Sequence, residues 1–228
     1  MKQATKARLR GLYVKMMDLL RGTPFASQHL PEEASLPHAL ALTQPFMPSA
    51  TLESKKHNLR EAAARINTLV IRPGEVFSFW HAVGNPNNRG RFREGRSIHQ
   101  GKVHLDVGGG LCQASGIIYH LALISGLEVV ERHNHSVDLY TDDTRFAPLG
   151  SDATVFYGFK DLRLRNNLSH PIQFQLQVGD TQFRAFLRSD APLDPLPLHF
   201  DIKEMPDGTK HVTISAPTGV CSRSVYRV

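Results

Sequence analysis

Apolar side chains recur at three- and four-residue steps over residues 4–21. Leu9, Leu12, Tyr13, Met16, Leu19 and Leu20 form one stripe, the spacing of a helix with a single apolar face. Gly22 and Pro24 stop it. The same period returns from Ser54 to Leu69, where Leu59, Ala62, Ala63, Ile66 and Leu69 line one side. Between the two, residues 23–51 carry Pro24, Pro31, Pro37, Pro45 and Pro48, which predicts a connector with little regular structure.

After Pro73-Gly74 the pattern changes to alternation, the period of a half-buried strand. Strands are predicted at Val76 to Phe79, around Phe92 to Ile98 and over Lys102 to Val107, with Asn85-Pro86-Asn87-Asn88-Arg89-Gly90 as a loop. A second apolar run follows Cys112 and predicts a buried helix. Leu127 to Ser136 reads as a strand, as do 153–159, 161–166, 171–178 and 182–188, and a hairpin fits 197–216 with its turn at Asp207-Gly208. Helices come first and strands later. The class is therefore α+β: a mainly antiparallel sheet, a central helix opened by Gly108-Gly109-Gly110-Leu111-Cys112-Gln113, and N-terminal helices. The expected division is a basic amphipathic helix at 1–22, the connector at 23–51 and one domain over 52–228.

With 228 residues the chain buries a substantial core, and 41% hydrophobic with 21% charged residues is ordinary for a globular protein. The net charge of +6 suits an anionic partner, but the basic residues are scattered and no nucleic-acid module is recognisable. Lys2, Lys6, Arg8, Arg10, Lys15 and Arg21 crowd the first helix. Its stripe is expected to pack on its own domain, the commoner fate; the alternative is peripheral contact of residues 4–21 with an anionic membrane. No stretch reaches the roughly twenty apolar residues that span a bilayer, and the start lacks the charged-then-apolar pattern of a cleaved leader. The expected location is cytoplasmic or inner membrane-associated, with export left open.

Candidate chemistry concentrates at Cys112. A thiol in the first turn of a helix meets free N–H groups and the positive end of the macrodipole, which favour the thiolate nucleophile. Gly109 and Gly110 suit a tight turn with close approach of a ligand, and the N–H groups of Leu111, Cys112 and Gln113 are placed to form an oxyanion hole. On a 127–136 strand, His133 and His135 share one face and Arg132 the other. Either histidine serves as base. His135, nearer the expected strand end where sites open, is preferred. Asp152 either orients the histidine or caps a turn. Arg132 is a candidate clamp for a substrate carboxylate, and Gln113, Ser115 and Tyr119 are candidate pocket residues. His99, His104 and Asp106 are lesser candidates. The second thiol, Cys221, reads as structural or incidental near a fraying terminus. Cys112, His133 and His135 also make a workable zinc ligand set, but strict spacings are absent and no metal or other cofactor is expected.

Five blocks in order carry a family resemblance: Pro73-Gly74-Glu75-Val76-Phe77-Ser78-Phe79, Gly108-Gly109-Gly110-Leu111-Cys112-Gln113-Ala114-Ser115, Glu131-Arg132-His133-Asn134-His135-Ser136, Asp152-Ala153-Thr154-Val155, and Asp161-Leu162 with Asn166-Asn167. From about Asn58 to Arg188 the chain resembles the VanW family, named for an accessory protein of vancomycin resistance. One departure is local. The family commonly has Ser-Thr-Thr-Leu-Tyr-Asn after the Cys-Gln pair, where this chain has Ser115-Gly116-Ile117-Ile118-Tyr119-His120. The resemblance implies a link to peptidoglycan, with stem peptides or their precursors as partners. It also implies L,D-transpeptidase-like acyl transfer by the motif cysteine. The alternatives are a module that binds precursors without turnover and a Cys/His zinc-site protein.

Overall fold

A computed structural model describes residues 2–31, 34–87, 90–99, 102–138 and 147–227; of residues 2–4, 98, 99, 102 and 103 only the backbone is described. The described elements are α1 (Lys2–Leu20), β1 (Gln28–His29), β2 (His38–Pro45), α2 (Leu52–Ile66), β3 (Leu69–Ile71), β4 (Val76–Ser78), α3 (Phe79–Val83), β5 (Glu94–His99) and β6 (Lys102–Val107). They continue with α4 (Leu111–Ile124), β7 (Glu128–Glu131), β8 (Arg163–Arg165), β9 (Ile172–Val178), β10 (Gln182–Ser189), β11 (His199–Glu204), β12 (Thr209–Ala216) and β13 (Gly219–Arg227).

The main sheet has the order β1-β3-β9-β10-β2, antiparallel at every pair. Alternation in β10 turns Phe183, Ala185 and Leu187 inward, beside Ile172, Phe174 and Leu176 of β9. Helix α2 lays Leu59, Ala62, Ala63 and Ile66 into the same core. Helix α4 is buried nearly all round, through Leu111, Ala114, Ile117, Ile118, Tyr119, Leu121, Ala122 and Leu123, as a helix with no polar face must be. Three smaller units surround this centre: β4-β8-β7, the β5-β6 hairpin and β11-β12-β13. The α+β class and the antiparallel sheet are as the sequence predicts. Among the described residues, no helix is long and apolar enough to cross a membrane.

Several expectations are corrected. Within 23–51, expected to have little regular structure, β2 pairs along its whole length with β10 from His38↔Ser189 to Pro45↔Gln182. Its one proline does not interrupt the ladder because β2 is an edge strand and Pro45 ends it. The strand expected to run through Phe79 ends at Ser78, whose hydroxyl accepts the His81 N–H at 3.0 Å and caps α3. The strand expected over 127–136 stops at Glu131, where its pairing with β8 is already irregular. Among the described residues the run 153–155 joins no ladder; Thr154 N–H donates instead to the His133 carbonyl at 2.7 Å. The hairpin turning at Asp207-Gly208 forms as predicted and gains a third strand, β13. Cys221 lies within that strand, half-buried, and not in a frayed tail.

The stripe of α1 faces the opposite way from expectation. Ala7, Gly11 and Asp18 are buried, while Leu9, Leu12, Tyr13, Met16, Leu19 and Leu20 are exposed.

Candidate active site

The turn before α4 is held by backbone. Gly108 N–H donates to Arg93 O at 3.0 Å, Gly109 N–H to Asp106 O at 3.0 Å, and Gln113 N–H to Gly110 O at 3.0 Å. Gly110, the residue before the helix, sits at φ 95°, where side-chain-bearing residues are strained. A Cβ on Gly109 would lie 2.2 Å from the carbonyl carbon of Gly95, so the close approach that requires glycine here is made by β5. Asn58, fully buried in α2, fastens this contact: its side-chain amide donates to Arg93 O and Gly109 O at 2.9 Å each, and its oxygen accepts Arg93 N–H at 2.8 Å. The glycines and Asn58 together fix where the first turn of α4 points.

That turn presents Cys112, half-buried, with Sγ 3.5 Å from Thr154 Oγ1 and 3.7 Å from Val155 O. Ser115 Oγ donates to Ala153 O at 2.7 Å and ties the 153–155 segment to the helix. Leu111 N–H and Gln113 N–H, expected in an oxyanion hole, are taken by Gly108 O and Gly110 O. Of the three expected donors, Cys112 N–H is the one not engaged in the turn.

His135 stands on the segment after β7, near enough to lower the Cys112 thiol. Its Nδ1 lies 2.6 Å from Asp152 Oδ2, and its backbone N–H donates to the same oxygen at 2.7 Å. With Nδ1 committed to the carboxylate, Nε2 is the nitrogen left for Cys112. Burial resists charge on all three groups, and their mutual contacts override it. The Cys112 thiol is pushed up by burial but brought below its ordinary value by hydrogen bonding and charge from His135, with help from Thr154 and Val155. His135 is lowered by burial yet raised overall to about 10 by Asp152 and Cys112. Asp152 is raised by burial yet held down to about 2 by His135 and Arg132. The proton is thereby drawn from sulfur toward imidazole, the condition of an activated cysteine.

Arg132 occupies the other side of Asp152. It donates to Asp152 Oδ1 at 3.0 Å, Asp152 O at 2.7 Å, Gly150 O at 2.7 Å and Tyr226 Oη at 3.2 Å, and it also bonds Ser224 Oγ. Its guanidinium lies 4.8 Å from the centre of the buried Tyr119 ring. Two expectations fall here. Arg132 is not across a strand from the histidines, because the chain leaves the sheet at Glu131. Nor is it a free clamp for a substrate carboxylate, because all three guanidinium nitrogens bond inside the protein and its side chain is 5% exposed. Tyr119 and Ser115 are likewise fully buried and hold the site from below. The Gln113 side-chain oxygen is buried without a hydrogen-bond partner among the described residues.

His133 does not join the thiol. Its Nε2 pairs with Glu131 Oε1 at 3.0 Å, and the same Glu131 oxygen accepts Asp161 N–H at 3.0 Å. The set Cys112, His133 and His135 is not assembled as zinc ligands. Among the described residues, no group of three or more His, Cys, Asp and Glu is placed to hold a metal ion. Asp106 accepts a hydrogen bond from Ser97 within the β5-β6 hairpin, and exposed His104 is on the same hairpin. The His99 side chain lies outside the described residues.

Four contributors escaped the sequence reading. Thr154 sits inside a recognisable block beside Asp152, so that block was the available sign. Asn58 is legible only as a polar residue on an apolar helix face. Tyr226 and Ser224 carry no sequence sign at all. They arrive because β13 runs beside the histidine segment: Asn134 Nδ2 donates to Val225 O at 2.7 Å, Arg227 N–H to Ser136 O at 3.0 Å, and Tyr226 Oη donates to Asp152 Oδ1.

Residues 54–187 match the family model for VanW like protein. The chain is 33% identical over 128 residues to vancomycin B-type resistance protein VanW of Enterococcus faecalis (strain ATCC 700802 / V583), covering 56% of this chain and 46% of that protein. It is 33% identical over 120 residues to the uncharacterized protein YoaR of Bacillus subtilis (strain 168), covering 53% of this chain and 38% of that one. The chain thus spans less than half the length of these relatives. No solved structure matches it significantly.

Proposed function

This chain belongs to the VanW family, and we propose that it is a cysteine-dependent acyl-transfer protein acting on peptidoglycan stem peptides, in the service of vancomycin resistance. The observation that carries this reading is the linked set Cys112, His135 and Asp152, with the 2.6 Å bond that fixes the imidazole. Peptidoglycan enters through the family resemblance, and the resistance role through the name of the Enterococcus relative.

In the proposed reaction the Cys112 thiolate attacks the carbonyl carbon of a stem-peptide amide. Its electron pair forms the C–S bond, and the carbonyl oxygen takes up negative charge opposite the Cys112 N–H. The imidazolium of His135 gives its proton to the leaving amine as the C–N bond breaks. A thioester on Cys112 remains. An acceptor amine or water, deprotonated by the now neutral His135, attacks the thioester and releases the thiolate. Asp152 keeps the ring in one tautomer and supports its charge throughout.

The test is intact-mass analysis of the protein after incubation with muropeptides, wild type against Cys112→Ala. An acyl adduct on wild type, absent from the variant, supports the reading. Unchanged peptide and no adduct, with affinity still measurable, would overturn catalysis and identify a precursor-binding module.

A further inference from the structure

Helix α1 is attached to the domain by its small side. At 3.6 residues per turn, residues 7, 11, 14 and 18 fall on one face, and that face is turned inward. Gly11 abuts the Tyr157 ring, where a Cβ would lie 2.9 Å from Tyr157 Oη; a Cβ on Gly158 would lie 2.5 Å from Ala7 O. Asp18, the one acidic residue among the first 22, is neutralised by a two-pronged pair with Arg163 at 2.7 and 2.8 Å.

The opposite face is apolar and uncovered. Leu9, Leu12, Tyr13, Met16, Leu19 and Leu20 are all more than half exposed, Leu19 at 81%. Basic side chains border it on both sides, Arg8 and Lys15 along one edge and Lys6 and Arg10 along the other, all exposed; Arg10 also rests over the Phe159 ring. An isolated exposed leucine needs no explanation, but six large apolar groups in one stripe do. An apolar stripe between two rows of cations is the arrangement that lies in the plane of a membrane interface, with the stripe among acyl chains and the cations at anionic headgroups.

We infer that α1 is a docking element for the surface of an anionic phospholipid bilayer. It sinks its leucine face to the acyl boundary without crossing, and the domain stays outside. The attachment points matter for the site. The 156–159 loop that holds α1 follows directly on Thr154 and Val155, which touch Cys112 Sγ. A docked α1 therefore sets the orientation of the thiol relative to the bilayer plane.

Co-sedimentation of the full chain with vesicles tests this. Binding to phosphatidylglycerol-containing vesicles should exceed binding to pure phosphatidylcholine at least tenfold at low salt and weaken as salt rises. Two double variants remove the two halves of the device: Leu12→Glu with Leu19→Glu, and Arg8→Glu with Lys15→Glu. Each should lower binding at least tenfold with an unchanged circular dichroism spectrum, whereas Ile202→Glu on exposed β11 should not. Equal binding to both vesicle types, retained binding by both double variants, or no wild-type binding overturns the inference. So does concentration-dependent self-association of wild type, abolished by Leu12→Glu with Leu19→Glu in the absence of lipid; that result would make the stripe an interface with a second copy of the chain.

Discussion

His135 and Asp152 are joined twice: the same carboxylate oxygen accepts the ring nitrogen at 2.6 Å and the backbone N–H of that residue at 2.7 Å. Backbone and side chain of the histidine are thereby fixed by one atom. The other carboxylate oxygen is held by Arg132 and Tyr226. A ring so anchored has one orientation, with Nδ1 on the carboxylate and Nε2 left for Cys112.

The two histidines separate cleanly in an alkylation experiment. His135→Ala removes the group that lowers the thiol, so the iodoacetamide rate of Cys112 at neutral pH should fall about tenfold or more. His133→Ala breaks the pair with Glu131 and, lying outside the thiol's contacts, should leave the rate within about twofold. The reverse ranking would sink the assignment of His135.

Asp152 predicts an acid limb of stability. Its folded value of about 2 lies below its ordinary 3.8, so its contribution is present above that ordinary value and is lost as pH falls from about 4 to about 2. The linkage amounts to roughly 2 kcal/mol. Urea midpoints measured across this window should fall for wild type and stay flatter for Asp152→Asn. Parallel curves would contradict it.

Gly109→Ala should be strongly destabilising, by about 3 kcal/mol or more, because the added carbon meets Gly95 backbone that has nowhere to move. Gly208→Ala gives the comparison, a strained turn at φ 78° with open space around it, and should cost about 1 kcal/mol. Thermal melts of the two would reveal an error if they shifted alike.

Arg132→Met leaves Gly150 O and Asp152 O short of their donors and removes one of the two cations paired with Asp152, His135 remaining. A loss of about 3–5 kcal/mol is expected, the range for breaking a buried pair. Tyr226→Phe removes one bond to Asp152 and should cost about 1–3 kcal/mol while leaving the protein folded. Denaturant titration of both checks the order. A harmless Arg132→Met would mean that Asp152 is held from elsewhere.

By itself the sequence determined the class, the helix that opens at Cys112 and the β9-β10 hairpin, because these rest on local periodicity and short motifs; it offered His133 and His135 together as partners for the thiol without separating them. It misplaced what depends on partners far along the chain. Residues 132–138 leave the sheet because Asp152, Gly150 and β13 offer their polar groups better partners than a ladder would, so the alternation that paired His133 with His135 does not apply. Arg132 is a candidate clamp by type and a buried support by position. Residues 38–45 become a strand because β10 supplies an open edge. For α1 the sequence determined a stripe but not its direction. The tertiary structure decided that, since the close-fitting surface of the domain at Tyr157 and Gly158 accepts only the small face of Ala7 and Gly11.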